Sequence, residues 1–211
     1  MKIAIIGSGS VGSALGKAWA RAGHQITYAV RDPAAAKVRK LLSELGPPAK
    51  ATEIGAAAGQ CEVIVLTTPW GEPARQAIEA CGNLGGKVVL DCTNPLKADL
   101  SGLTVGFSSS AGEQVAEWAA GARVVKIFNT TGANNMENSD YGGQAPTMFY
   151  AGDDPGAKAV AKQLSAEIGF EPCDAGPLSQ ARLLEPLALL WISMAYSQGY
   201  GREIAFKLLR R

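Results

Sequence analysis

The 211 residues include a single histidine and four scattered cysteines, and each shortage closes off a class of chemistry. His24 is the only imidazole and falls in the turn before a strand, where a structural role suits it better than proton transfer. There is no Tyr-x-x-x-Lys either, so the proton relay an alcohol dehydrogenase needs is missing. Cys61, Cys81, Cys92 and Cys173 lie far apart without a CxxC pair, which argues against a disulfide framework or a thiolate metal set. No apolar run approaches the length of a membrane span. The four apolar residues ahead of the first glycine are too few for the core of a signal peptide, so a cytoplasmic protein with free thiols and no membrane partner is expected. Neither sign of charge dominates: 20 Lys and Arg are interleaved with 19 Asp and Glu, and without a basic stripe nucleic acid is not an expected partner. There is no repeat, low-complexity tract or long linker.

What is present is organised around Lys2 to Gly12, KIAIIGSGSVG. Ile3 to Ile6 suits a strand buried on both faces of a sheet. Gly7, Gly9 and Gly12 follow with the spacing G-x-G-x-x-G, and Ser13 to Ala22 reads as a helix with Ala14, Leu15, Ala18 and Trp19 on its apolar face. In that context Gly7 permits a sharp turn, Gly9 lets backbone approach a pyrophosphate, and Gly12 lets helix and strand pack closely. Free N–H groups at the helix start face the phosphates.

Further along, apolar strands alternate with helices. Strands are expected at Gln25 to Val30, Glu62 to Thr67, Lys87 to Asp91, Val124 to Phe128, Thr147 to Ala151 and Phe170 to Asp174. Asp32-Pro33 reads as the cap and first residue of a helix running to Leu45; Thr52 to Ile54 opens a short alanine-rich helix, and Pro69-Trp70 begins another. Gly132 to Gln144 reads as a lid or binding loop, too long for a plain connection. The expected fold is α/β: a Rossmann-type, doubly wound, mainly parallel sheet at 1–176, with a short C-terminal helical extension at 177–211. A broad apolar stripe on that extension, Leu183, Leu184, Leu187, Leu190 and Trp191, outruns what remains of the chain to cover it. Leu183, Leu184 and Leu187 are assigned to the parent domain. The stretch Trp191 to Tyr200 is assigned to a second copy, giving a homodimer whose helix closes the acceptor site.

The second strand ends in Val30-Arg31 rather than in the acid that usually binds a ribose 2′-hydroxyl. Asp32 has the right spacing but belongs to the next helix, leaving Arg31 to pair with a 2′-phosphate, with Lys37 adding charge. NADP(H) is therefore expected over NAD(H). Thr68, Pro69, Asn94, Pro95, Asn129, Thr130 and Thr131 all directly follow strands, on the side where open α/β sheets bind ligands. They are the candidates for the nicotinamide and acceptor pocket. Lys126 reads as a lysine on a sheet face or edge. No metal set is apparent.

The chain resembles the F420-dependent NADP reductases, a family itself similar to the nucleotide domain of the STEAP metalloreductases. The resemblance is carried by GSGSVG at 7–12, GHQITYAVR at 23–31, VIVLTTPW at 63–70, DCTNPL at 91–96, VVKIFNTTGANNM at 124–136 and AGPLSQARLLEPL at 175–187. It implies a Rossmann domain that holds NADP(H) through Ser8, Gly9, Ser10 and Val11, then Arg31, then Thr68, Pro69 and Trp70. Val30 stands where the family often has serine, and Asn129 lies near a position where a deazaflavin reductase carries histidine.

Hydride transfer between a nicotinamide and a flavin-like ring needs orientation more than a side-chain acid or base, in keeping with the residues present. The leading expectation is an NADP(H)-dependent oxidoreductase passing hydride to a small-molecule acceptor, a deazaflavin (F420) or a flavin. A non-catalytic NADP(H)-binding redox sensor or partner module is the alternative from another class. An imine or keto-acid reductase shares the opening pattern, but needs a longer helical dimerisation domain than the 34 residues after Pro177.

Overall fold

Alternation along the first strand sets the two faces of the molecule. Ile3 and Ile5 enter one apolar core, Ala4 and Ile6 the other, as successive side chains of a strand must. The computed structural model describes residues 1–211. Its strands are β1 (Lys2–Ile6), β2 (Gln25–Ala29), β3 (Lys50–Thr52), β4 (Val63–Leu66), β5 (Val88–Asp91), β6 (Arg123–Lys126), β7 (Thr147–Gly152) and β8 (Glu171–Asp174). The helices are α1 (Ser10–Arg21), α2 (Ala36–Leu45), α3 (Ile54–Gln60), α4 (Glu72–Ala80), α5 (Ala111–Trp118), α6 (Ala133–Glu137), α7 (Pro155–Ala166) and α8 (Ala181–Ile192). One eight-stranded sheet has the order β3-β2-β1-β4-β5-β6-β7-β8. From β3 to β6 all pairings are parallel, and α1 and α7 cover one face while α3, α4 and α5 cover the other. The Rossmann-type fold is thus as expected.

Several local expectations are corrected. Thr52, read as opening a helix, instead ends an edge strand, Lys50–Thr52, paired to β2, and the helix starts at Ile54. Asp32 does not cap α2; it accepts from the Ala34 amide at 2.9 Å in a local turn, and α2 begins at Ala36. The helix after Pro69-Trp70 starts at Glu72, beyond Gly71. β7 runs antiparallel to β6, the one antiparallel pairing between the sheet's strands. The Gly132–Gln144 segment contains α6, which packs on α1.

The C-terminal segment differs most from expectation. The helical run ends in a π-turn at Ser193–Ser197, and the last residues form an extended tail rather than more helix. That tail returns to the sheet: the Thr147 amide donates to the Phe206 carbonyl (2.9 Å) and the Leu208 amide to Thr147 Oγ1 (2.9 Å). It also covers Trp191, whose indole N–H donates to the Ile204 carbonyl at 2.8 Å. Trp191 is therefore internal, 4% exposed and set against Gly132, not a partner-facing residue. Leu183, assigned above to the parent domain, instead points outward at 65% exposure.

α8 is pinned by charge. Lys126, expected on a sheet face or edge, is wholly buried and gives its three ammonium hydrogens to Asp91 Oδ2 (2.9 Å), the Thr93 carbonyl (2.6 Å) and Glu185 Oε1 (2.9 Å). Glu185 also accepts the Ala111 and Gly112 amides at the start of α5, both at 3.0 Å. Asp91 Oδ1 takes the amide and hydroxyl of Thr93 at 2.9 and 2.7 Å. Removing one member of such a set leaves buried charge uncompensated. Lys126→Met is expected to cost about 3–5 kcal/mol in urea unfolding; an unchanged midpoint would show that the network contributes nothing to stability.

Candidate functional site

At the carboxyl ends of β1, β2 and β4 the chain leaves a cleft of about 620 Å³. Gly7, with φ +109°, makes the turn that ends β1. A Cβ on Gly12 would run into the Gly7 carbonyl and lie 2.7 Å from Thr67 Oγ1, so only glycine lets α1 start this close to the strand. Gly9 has nothing within 4 Å of where its Cβ would stand. The space over the turn is therefore open to a ligand, and the amides at the start of α1 border it.

Gly7, Ser8 and Gly9 share the cleft with Arg31, Lys37, Thr68 and Pro69. Ala35, Val38, Ile54 and Ala77 give it an apolar floor. Arg31 and Lys37 are exposed and form no ion pair with any residue of the chain. Thr68 Oγ1 is buried without a hydrogen-bond partner. An open glycine turn, an unpaired hydroxyl and two uncommitted cations fit an adenosine carrying a pyrophosphate and a further phosphate.

Beyond β5 and β6 the chain holds a second polar cluster. Asn94 Nδ2 donates to the Asn129 carbonyl (2.9 Å), while Asn129 Nδ2 donates to Asn94 Oδ1 and to the Leu184 carbonyl, both at 3.1 Å. Asn129 Oδ1 is left unpaired and closed to water, which costs about 1–3 kcal/mol for a buried acceptor. Phe128, just before it, adopts φ +61° although not glycine, and is held there edge-on against Trp19 at 5.6 Å. Strained backbone of this kind is typical of ligand sites. Thr131 Oγ1 accepts from Asn135 Nδ2 at 2.8 Å and so ties the strand end to α6.

At the β5 and β6 ends the ammonium of Lys126 is buried. Burial pulls the Lys126 ammonium toward neutrality, but Asp91 and Glu185 outweigh it and hold its pKa above the usual lysine value, so it stays charged. His24 sits at the opposite end of the sheet, its Nε2 2.7 Å from Glu167. Burial pushes up the thiols of Cys61, Cys81 and Cys92, that of Cys81 to about 11, so these three stay protonated near neutral pH.

The structure thus gathers Gly7, Ser8, Gly9, Arg31, Lys37, Thr68 and Pro69 around one cleft and joins Asn94 to Asn129 beside it. Ser10, Val11 and Gly12 form the first turn of α1 behind the glycines. The Trp70 indole is engaged elsewhere, stacked on Trp118 at 5.2 Å. Sequence reasoning missed Asp91 and Glu185. The available signal was an acid on an otherwise apolar stripe, since Glu185 shares the buried face of α8 with Ala181, Leu184 and Ala188.

Residues 2–95 match the family described as NADP oxidoreductase, coenzyme F420-dependent. Over 208 residues the chain is 29% identical to the F420-dependent NADP reductase of Methanothermobacter marburgensis, covering 92% of each protein. It is 25% identical to the rat metalloreductase STEAP3 over 90% of this chain and 37% of that protein. A reductive aminase from Aspergillus terreus, solved with NADPH and ethyl-5-oxohexanoate, has a TM-score of 0.69 at 22% identity, covering 94% of this chain and 63% of that one, a likeness of fold. A solved structure from Arthrobacter sp. FB24, assigned to the F420-dependent NADP reductases, superposes with a TM-score of 0.88 at 32% identity over 100% of both chains. Identity at that level, sustained from the glycine turn through the C-terminal tail, means that the chain belongs to the F420-dependent NADP reductase family, a family of NADP-dependent oxidoreductases.

Proposed function

We propose that the chain binds NADP(H) along the carboxyl ends of β1 to β6 and transfers hydride between it and a deazaflavin (F420) or a flavin-like acceptor. The observation that carries the cofactor reading is the pair of cations without ion-pair partners, Arg31 and Lys37, at the end of β2, where the one acid lining the cleft, Asp32, already accepts the Ala34 amide. A guanidinium pairs with a phosphate through parallel N–H bonds, so these residues recognise the 2′-phosphate. Gly7 to Gly12 hold the pyrophosphate and Thr68 with Pro69 border the ribose beyond it. Asn94, Asn129, Thr130 and Thr131 frame the ring end. The bound nicotinamide supplies or receives the hydride. The chain's own residues bind and orient: at the β5 and β6 ends Lys126 is buried and held charged, and the one histidine lies at the far end of the sheet. Residues 1–176 act as the cofactor-binding part. Residues 177–211 close the site and offer a contact to a second copy.

That contact rests on α8. Leu183 and Leu190, 65% and 51% exposed, lie two turns apart on one side of the helix with Leu187 between them. A two-fold related copy of the same helix covers this face. Light scattering at micromolar concentration should return a dimer for the native chain and a monomer for Leu190→Lys, with NADPH affinity retained. A native monomer would remove the dimer from the account.

The acceptor is tested by NADPH oxidation with F420, FMN, FAD, ferric chelates and small cyclic imines. Turnover with F420 or a flavin is expected. Turnover confined to imines would reassign the substrate, and NADPH binding without any turnover would favour a redox sensor. Arg31→Ala tests the cofactor separately. It removes a charge-assisted pair worth about 1.5–3 kcal/mol, and calorimetric titration should show the loss for NADPH and not for NADH. Equal loss for both would contradict the assignment.

A further inference from the structure

We infer that the side-chain oxygen of Asn129 accepts the carboxamide N–H of the nicotinamide ring, and that Glu185 is the positioning residue that fixes it there. The inference rests on the NADP(H) reading above and adds what the ring itself is recognised by. In a sheet ordered β3-β2-β1-β4-β5-β6, the first three strands serve the adenosine half of a dinucleotide and the next three the nicotinamide half. Asn129 follows β6 and is 4% exposed.

Its orientation is determined by its neighbours. Both groups facing Nδ2, Asn94 Oδ1 and the Leu184 carbonyl, are acceptors at 3.1 Å. Turning the amide over would set oxygen against oxygen twice, so Nδ2 must face them and Oδ1 must face away. Around it the other acceptors are committed. Asp91 serves Thr93 and Lys126, the Thr93 carbonyl serves Lys126, and Thr131 Oγ1 serves Asn135. Asn129 Oδ1 alone among them has no donor. The carboxamide is the donor group of a nicotinamide ring. An N–H that parts the side chains closing this oxygen from water gains an acceptor with no competing bond.

Glu185 acts at one remove. Its carboxylate bridges Lys126 and the first amides of α5, and this sets the depth of α8 against the sheet. The residue before it, Leu184, supplies the carbonyl that takes an Asn129 hydrogen. A shift of α8 frees Nδ2 and lets the amide rotate.

The probe is the 3-acetylpyridine analogue of NADP+, in which a methyl ketone replaces the carboxamide and removes its N–H donors. Isothermal titration of the native chain should give NADP+ a Kd about three- to tenfold lower than the analogue, the span of one neutral hydrogen bond. Asn129→Ala should bind the two alike. Glu185→Gln should narrow the ratio yet leave the NADPH-over-NADH preference set at Arg31 unchanged, which a general loss of structure would not do. Equal affinities in the native chain, a comparison that needs no variant to fold, would overturn the inference alone. A native ratio that persists in Asn129→Ala would also overturn it. Failure of the native chain to bind NADP+ at all would overturn the cofactor reading and the inference together.

Discussion

Where β5, β6 and α8 meet, one ammonium and two carboxylates sit together out of reach of water. Desolvation makes such a group costly unless every charge is paired and every hydrogen placed. Here that condition is met: Lys126 spends its three hydrogens on Asp91, Thr93 and Glu185, and Glu185 spends its remaining capacity on two amides of α5. The amides at the start of that helix carry partial positive charge, which offsets the second carboxylate. The arrangement admits essentially one depth and rotation for α8. The Leu184 carbonyl, the Asn129 amide and the Asn94 side chain then follow in fixed relation. An apolar contact in the same place would hold the helix but tolerate sliding along it.

The same cluster separates two kinds of surface in the cleft. On the β1–β2 side the charged groups, Arg31 and Lys37, are exposed and free to meet a ligand. On the β5–β6 side the charges of Lys126, Asp91 and Glu185 are internal and already paired. Chemistry there proceeds by placement, because the lysine is held charged and the one histidine lies across the sheet with Glu167. That division suits two ring systems exchanging hydride, where the rings carry the electronic change and the protein sets distance and angle.

Much of this was legible in the sequence because it follows from local rules. The strand, glycine turn and helix at the start depend on residue size at Gly7, Gly9 and Gly12, and the structure gives each a steric reason or an open space. The alternating strands from β1 to β6 show as apolar runs because both of their faces are buried. β3 was invisible: three residues, Lys50, Ala51 and Thr52, on an edge carry no apolar pattern. The antiparallel direction of β7 is a matter of chain path, which side-chain periodicity does not report. Lys126 looked like a surface lysine because its partners lie 35 and 59 residues away along the chain. Trp191 was sent to a partner because the tail that covers it has no helical or strand signature and binds largely through its backbone carbonyls.

We propose that one extended ligand site runs from Arg31 to Asn129 along the strand ends. A crystal structure of the chain with NADP+ tests it most directly. The pyrophosphate is expected over Gly9, the 2′-phosphate against Arg31 and Lys37, and the nicotinamide ring beside Asn94 and Asn129. A cofactor bound away from the glycine turn, or one that runs along the turn with its ring directed away from β5 and β6, would contradict it.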